Sequence, residues 1–230
     1  MPTSPTHAPA PTAPPPYQGL PLRHPTRPPV LLPTDPESAE LYGPVFGHTD
    51  VTSLDHDLTR HHTGTPIGER ITLTGHVLDS RGRPVRHQLV ELWQANAAGR
   101  YAHQGDRHDA PLDPNFTGTG RALTGADGRY TFTTIKPGAY PLGTPDHAWR
   151  AAHVHFSLFG SAFTQRLVTQ MYFPGDPLLA HDSVLHSAPG EAARRRLIAT
   201  YDPALSGTAG TLTYRWNIVL GGPSPTVTPA

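Results

Sequence analysis

A chain of 230 residues with 18 Lys plus Arg against 18 Asp plus Glu carries no formal net charge, so no basic surface marks a nucleic-acid or acidic-membrane partner. It has no cysteine, which excludes disulfide staples, Cys-ligated zinc and iron–sulfur clusters and fits a reducing compartment. No apolar run approaches the roughly 20 residues that span a bilayer, and the opening MPTSPTHAPAPTAPPPYQG lacks the basic and apolar regions of a secretory signal, so a soluble cytoplasmic protein is expected.

Residues 1–16 are dense in Pro, Thr and Ala, cannot bury an apolar face, and read as a disordered tail. Residues 17–65 stay rich in proline and turns, and form an arm that must pack on the core or on a partner. The texture then changes to short runs separated by turns over 66–222. Ile71–Leu78 alternates, Asp79–Gly82 turns, and Gln88–Trp93 resumes. Ala126-Asp127-Gly128 is a tight-turn signal between the runs 121–124 and 130–133. Further strands are expected over 153–158, 167–173 and 211–220, and one helix over 190–201. Residues 223–230 read as a tail. Many short strands at regular spacing predict an all-β sandwich with short helices, long loops and an extended N-terminal arm.

With 15 histidines in the chain, a single one signifies little and only a constellation counts. In Trp149-Arg-Ala-Ala-His-Val-His-Phe156, His153 and His155 alternate with Val154, so on a strand both imidazoles face one side, about 7 Å apart. Two such rings can converge on a metal. The plain alternative is one hydrogen-bonded core histidine and one solvated one. Arg150 borders the same apolar run and needs a partner there. A substrate oxyanion or carboxylate would supply it, and a solvated strand end is the other option. Tyr140 is held between Gly138 and Pro141 in a rigid turn.

The motifs GRY (99–101), APLDPNF (110–116), IKPGAYP (135–141) and WRAAHVHF (149–156), in this order and spacing, resemble the intradiol ring-cleavage dioxygenases. TPIGERI (65–71), LVELWQANAAGRY (89–101) and TQMYFPGDP (169–177) extend the likeness over most of residues 65–220. The resemblance implies a non-haem Fe(III) site held by Tyr101, Tyr140, His153 and His155, with O2 as co-substrate. It assigns Arg150 to charge developing on the ring, Tyr140 to proton removal, Gln170 and Val184 to the substrate pocket, and Arg100 and Asp106 to the support of Tyr101. The chemistry is consistent. A free phenol titrates near pH 10, so tyrosine ligates at neutral pH only beside a strong cation, and two phenolates suit a trivalent ion. Ferrous oxygenases use two histidines and a carboxylate instead.

Tyr17 in the arm matches the tyrosine that, in the protocatechuate-cleaving branch, meets the substrate's carboxylate. There an iron-bearing beta-type chain pairs with an alpha-type chain that lacks the ligands. Protocatechuate cleavage to 3-carboxy-cis,cis-muconate with an alpha-type partner is therefore expected, with catechol or hydroxyquinol as alternative substrates. Two positions depart from the family pattern: Leu142 replaces a tryptophan and Ala151 a proline. Both bear on which diol is preferred. Two rival readings are a non-catalytic transthyretin-like sandwich, which explains 71–133 but not the Tyr, Arg and His spacing, and a zinc hydrolase, which would need a third histidine or a carboxylate. The histidines of Asp55-His-Asp57 and His61-His62 read as surface loop.

Overall fold

The computed structural model describes residues 51–53, 55–143, 148–159, 166–206 and 211–229, all within a unit spanning Leu32–Pro229. The expected tail 1–16, the arm up to residue 50 and the substrate contact expected of Tyr17 lie outside the described residues. Among the described residues eleven strands run in the order β1 Arg70–Asp79, β2 Leu89–Gln94, β3 Thr119–Leu123, β4 Arg129–Ile135, β5 Tyr140–Pro141, β6 Trp149–Arg150, β7 His153–Phe159, β8 Arg166–Tyr172, β9 Thr200–Tyr201, β10 Leu212–Arg215 and β11 Ile218–Leu220. Two short helices, α1 Ser183–Ser187 and α2 Gly190–Arg196, follow β8. This is the expected all-β sandwich. No helix among the described residues is long and apolar enough to cross a membrane.

One sheet is antiparallel in the order β3-β2-β7-β8; the other is built on β1, flanked by β4, β10 and β11, with β9 beyond β10. Strand alternation places Val90 and Leu92 of β2 and Val154, Phe156 and Leu158 of β7 in a core shared with Ile71, Leu73 and Val77 of β1. Phe156 is its aromatic centre, edge-on to Tyr130 at 5.8 Å and to Phe132 at 6.2 Å, and tilted on Trp216 at 5.0 Å. The 3-10 turn Leu58–Arg60 seats Leu58 in the same core, and Asp57 bridges to Thr133, so this part of the arm packs on the sandwich.

Three expected boundaries move. The run 211–220 splits at Trp216 because β1 changes partner there, pairing with β10 through Thr74 and with β11 from Val77. A Cβ on Gly75 would lie 1.6 Å from the Trp216 carbonyl oxygen, so only glycine lets that crossing form. The helix expected over 190–201 ends at Arg196. Beyond it Tyr172 exchanges backbone hydrogen bonds with Leu197 and Ala199, both at 2.8 Å, and tertiary pairing beside β8 overrides helix propensity. Residues 223–229 fold back on the domain: Thr226 is buried, and its backbone N–H and hydroxyl both bond Val219.

Candidate metal centre

The antiparallel register of the β3-β2-β7-β8 sheet sets two rows of side chains on its outer face. His155 lies opposite Trp93 and Gln170, and His153 opposite Tyr172. The core takes Val154 and Phe156; the histidines occupy the reverse side of the same strand. His153 Nδ1 lies 2.7 Å from the Ala151 carbonyl oxygen. A carbonyl only accepts, so Nδ1 carries the proton and Nε2 presents its lone pair. The His155 ring stacks on Trp93, with centroids 4.8 Å apart and planes within 5°.

Two loops bring the tyrosines over this face. Asn96 organises the first, its Oδ1 accepting from the N–H groups of Ala98 (2.9 Å) and Arg100 (3.0 Å) and its amide donating to Pro111 O (2.9 Å). Asp106 Oδ2 accepts the Tyr101 N–H at 2.8 Å and so supports that tyrosine from behind. The Arg100 guanidinium instead donates to Ala110 O at 2.7 Å, away from the phenol. The loops meet through glycines two residues before each tyrosine. A Cβ on Gly99, whose φ is +81°, would lie 2.1 Å from Ala139 O, and one on Gly138 would lie 2.4 Å from Ala97 O. Gly99→Ala should therefore cost at least about 1–2 kcal/mol of left-handed backbone strain and force the loops apart. The expected result is a lower melting temperature together with less than stoichiometric iron per chain.

Four polar atoms converge as a result. Tyr101 Oη lies 3.0 Å from His155 Nε2, which lies 3.2 Å from His153 Nε2; that atom lies 3.2 Å from Tyr140 Oη, and the two phenol oxygens are 3.5 Å apart. Donors at right angles around an ion about 2.1 Å away stand about 3 Å apart, so the ring has the dimensions of a ligand set. Its chemistry, two imidazoles and two phenols, matches the expected donors. Among the described residues no third His, Cys, Asp or Glu joins His153 and His155 in a metal-holding group. A cleft of about 600 Å³ lined by Thr52, His56, Arg121, Asp127 and Arg129 contains none of these side chains. Donor convergence, rather than volume, marks the site.

Arg150 sits directly across the β5–β6 ladder from Tyr140. It is buried, and its partner is one the sequence did not disclose: Asp182, 0% exposed, takes Arg150 Nε at 3.2 and 3.0 Å on its two oxygens. Arg150 Nη2 donates to Tyr172 Oη at 3.0 Å and to Gln170 Oε1. Burial alone would lower the guanidinium's pKa, but the phenols of Tyr172 and Tyr140 and the Asp182 carboxylate together raise it above its ordinary value. Burial raises the Tyr172 phenol as well, which keeps it a donor to Gln170 Oε1 at 2.9 Å. Removing one partner from a buried ion pair costs about 3–5 kcal/mol, because the other charge is left uncompensated. Val184 is half-buried in the first turn of α1, two residues past Asp182. Leu142 continues the β5–β6 pairing through its N–H to Ala148 O at 2.8 Å, and Ala151 is fully buried.

The dioxygenase family profile matches residues 41–222. The chain is 55% identical over 208 residues to the protocatechuate 3,4-dioxygenase beta chain of Burkholderia cepacia, covering 90% of this chain and 87% of that one. It is 34% identical over 164 residues to the protocatechuate 3,4-dioxygenase alpha chain of Pseudomonas putida, covering 70% and 75% respectively. The 3-chlorocatechol 1,2-dioxygenase of Rhodococcus opacus 1CP shares the fold, with a TM-score of 0.59 and 24% identity over 75% of this chain and 67% of that one. With the profile spanning most of the sequence and enclosing the two-tyrosine, two-histidine cluster, the chain belongs to the intradiol dioxygenases, a family of oxidoreductases.

Proposed function

We propose that this chain is the iron-bearing subunit of a protocatechuate-cleaving enzyme, holding Fe(III) through Tyr101, Tyr140, His153 and His155 and acting with an alpha-type chain. The observation that carries the reading is the ring of four donors at 3.0–3.5 Å, two of them phenols. Extensive identity to a beta chain of that activity supports the substrate, and the weaker likeness to an alpha chain supports a related partner.

Ferric iron held by these four residues would supply Lewis-acid and redox chemistry to a bound diol. The chain's own residues do the rest. Tyr140 Oη accepts a proton from one diol hydroxyl, a step worth about 10²–10⁴-fold when the base is well placed. Arg150, fixed on the adjacent strand, opposes the negative charge that grows as the ring is attacked by O2. Gln170 Oε1 is held by Arg150 and Tyr172 and keeps that wall of the site in place. Tyr17 would meet the substrate's carboxylate, and Val184 would contribute an aliphatic wall. The bond between the two hydroxylated carbons breaks, each of those carbons gains one oxygen atom of O2 to become a carboxylate, and 3-carboxy-cis,cis-muconate results.

The test is the visible spectrum of the purified chain, alone and with its alpha-type partner, before and after anaerobic protocatechuate. A broad phenolate-to-iron band that shifts on addition is the expected result. A band indifferent to protocatechuate but shifted by catechol or hydroxyquinol would reassign the substrate. Iron-loaded protein with no such band would overturn the ligand set.

A further inference from the structure

Asp182 has more work in this fold than a helix cap requires. Its Oδ1 accepts the Leu185 N–H at 2.9 Å, which is the ordinary capping bond of α1. Its Oδ2 accepts the Ala151 N–H at 2.9 Å, and both oxygens take Arg150 Nε. One fully buried carboxylate thus fixes both the side chain of Arg150 and the backbone that leads from it toward His153. The other hydrogens of the guanidinium are partly spoken for: Nη2 donates to Gln170 and Tyr172. No hydrogen bond engages Nη1 among the described residues.

From this geometry we infer that Asp182 is a positioning residue for the ring-cleavage step: it holds Arg150 so that Nη1 is the donor presented to the reacting diol. The inference rests on the ferric dioxygenase reading above and assigns nothing to the iron itself. An arginine at the end of a two-residue strand has four side-chain torsions to lose, and a carboxylate that takes its Nε–H on both oxygens, with two further backbone anchors, removes much of that freedom before substrate arrives. Preorganisation of a donor toward charge that develops only in the transition state raises kcat more than it lowers KM.

The test uses the full chain, iron-loaded and co-produced with the alpha-type chain. Asp182→Asn keeps the shape and an N-cap oxygen but removes the charge. Asp176→Asn is the matched control. Asp176 caps the preceding 3-10 turn and holds the Ala152 N–H at 3.1 Å, without touching Arg150. For Asp182→Asn we expect kcat to fall about 10–100-fold, the range found for groups that orient a functional residue, with KM and the phenolate-to-iron band little changed. Asp182→Glu should recover part of the loss, and Asp176→Asn should lose less than Asp182→Asn. In an Arg150→Ala background, Asp182→Asn should cost no further kcat, whereas a merely structural role would cost the same factor in both backgrounds. An undiminished kcat in Asp182→Asn, or an equal loss in the two backgrounds, overturns the inference. If Asp182→Asn alone does not fold, the Arg150→Ala pair decides, because any further fall of kcat there overturns it. Failure of the underlying reading looks different: wild-type chain with neither band nor turnover.

Discussion

His153→Ala should lower the iron content, and the visible band with it, and reduce turnover by more than the roughly 100-fold typical of a group that only supports a metal ligand. The ring is 2% exposed and lies among Tyr140 (centroids 5.4 Å), His155 (4.8 Å) and Tyr172 (5.6 Å), so its loss opens the donor ring between His155 and Tyr140. Its Nδ1–H is committed to Ala151 O, which fixes the tautomer and leaves no second way for the side chain to contribute. The measurement is iron per chain by emission spectrometry alongside the absorption spectrum and steady-state rate. Because residues that act as a unit are non-additive, His153→Ala/Tyr101→Phe should be scarcely worse than His153→Ala alone. Multiplying losses would mean that the two side chains act independently and do not share an ion. A melting curve on the same samples separates loss of metal from loss of fold: the core face of β7, with Val154, Phe156 and Leu158, is untouched by the substitution.

How much of this was legible beforehand follows from the range of each interaction along the chain. His153 and His155 share a face by strand alternation alone, a rule of period two that needs no tertiary information. The sandwich was legible for the same reason, since most strands announce themselves by alternating residues between turn signals. The two tyrosines were not derivable from periodicity. They lie 54 and 13 positions from the histidines they approach, Tyr101 on a loop and Tyr140 at the start of the two-residue β5, and only the resemblance of their motifs brought them in. Asp182 was missed altogether. Its cap signature is visible in Asp182-Ser-Val-Leu, but nothing local says that the same carboxylate reaches Arg150, 32 residues earlier. Trp93, stacked on His155 from the neighbouring strand, escaped for the same reason. The over-long helix and the unsplit 211–220 strand show the opposite failure, where local propensity was read correctly and tertiary pairing prevailed.

The charges of the site also become intelligible as a pair of compensated groups. Arg150 is balanced by Asp182 before any ligand arrives, so its burial does not depend on substrate. In the proposed ligand set two phenolates would offset two of the three charges of Fe(III), and the imidazoles would add neutral donors. A site organised like this can exclude water without paying for an isolated charge, which is the condition under which oriented donors act most strongly.

Tyr140→Phe isolates the role of a single oxygen. Phenylalanine keeps the ring edge-on to Tyr101 at 5.5 Å and against His153, so packing and loop position should survive, and the melting temperature should move little. Iron should remain, held by three donors, but with one phenolate gone the visible band should weaken and move. The rate should fall by about 10²–10⁴, the span expected when a general base is removed from a proton transfer. Tyr101→Phe provides the contrast. That residue is tied through its backbone N–H to Asp106, and its phenol lies nearest His155. Its loss should affect iron retention more than the proton step. The two variants are separated by their readouts: Tyr140→Phe should lose rate while keeping iron, and Tyr101→Phe should lose iron. Wild-type turnover in Tyr140→Phe, with an unaltered band, would show that its oxygen neither holds the ion nor takes the proton, and the four-donor assignment would fall with it.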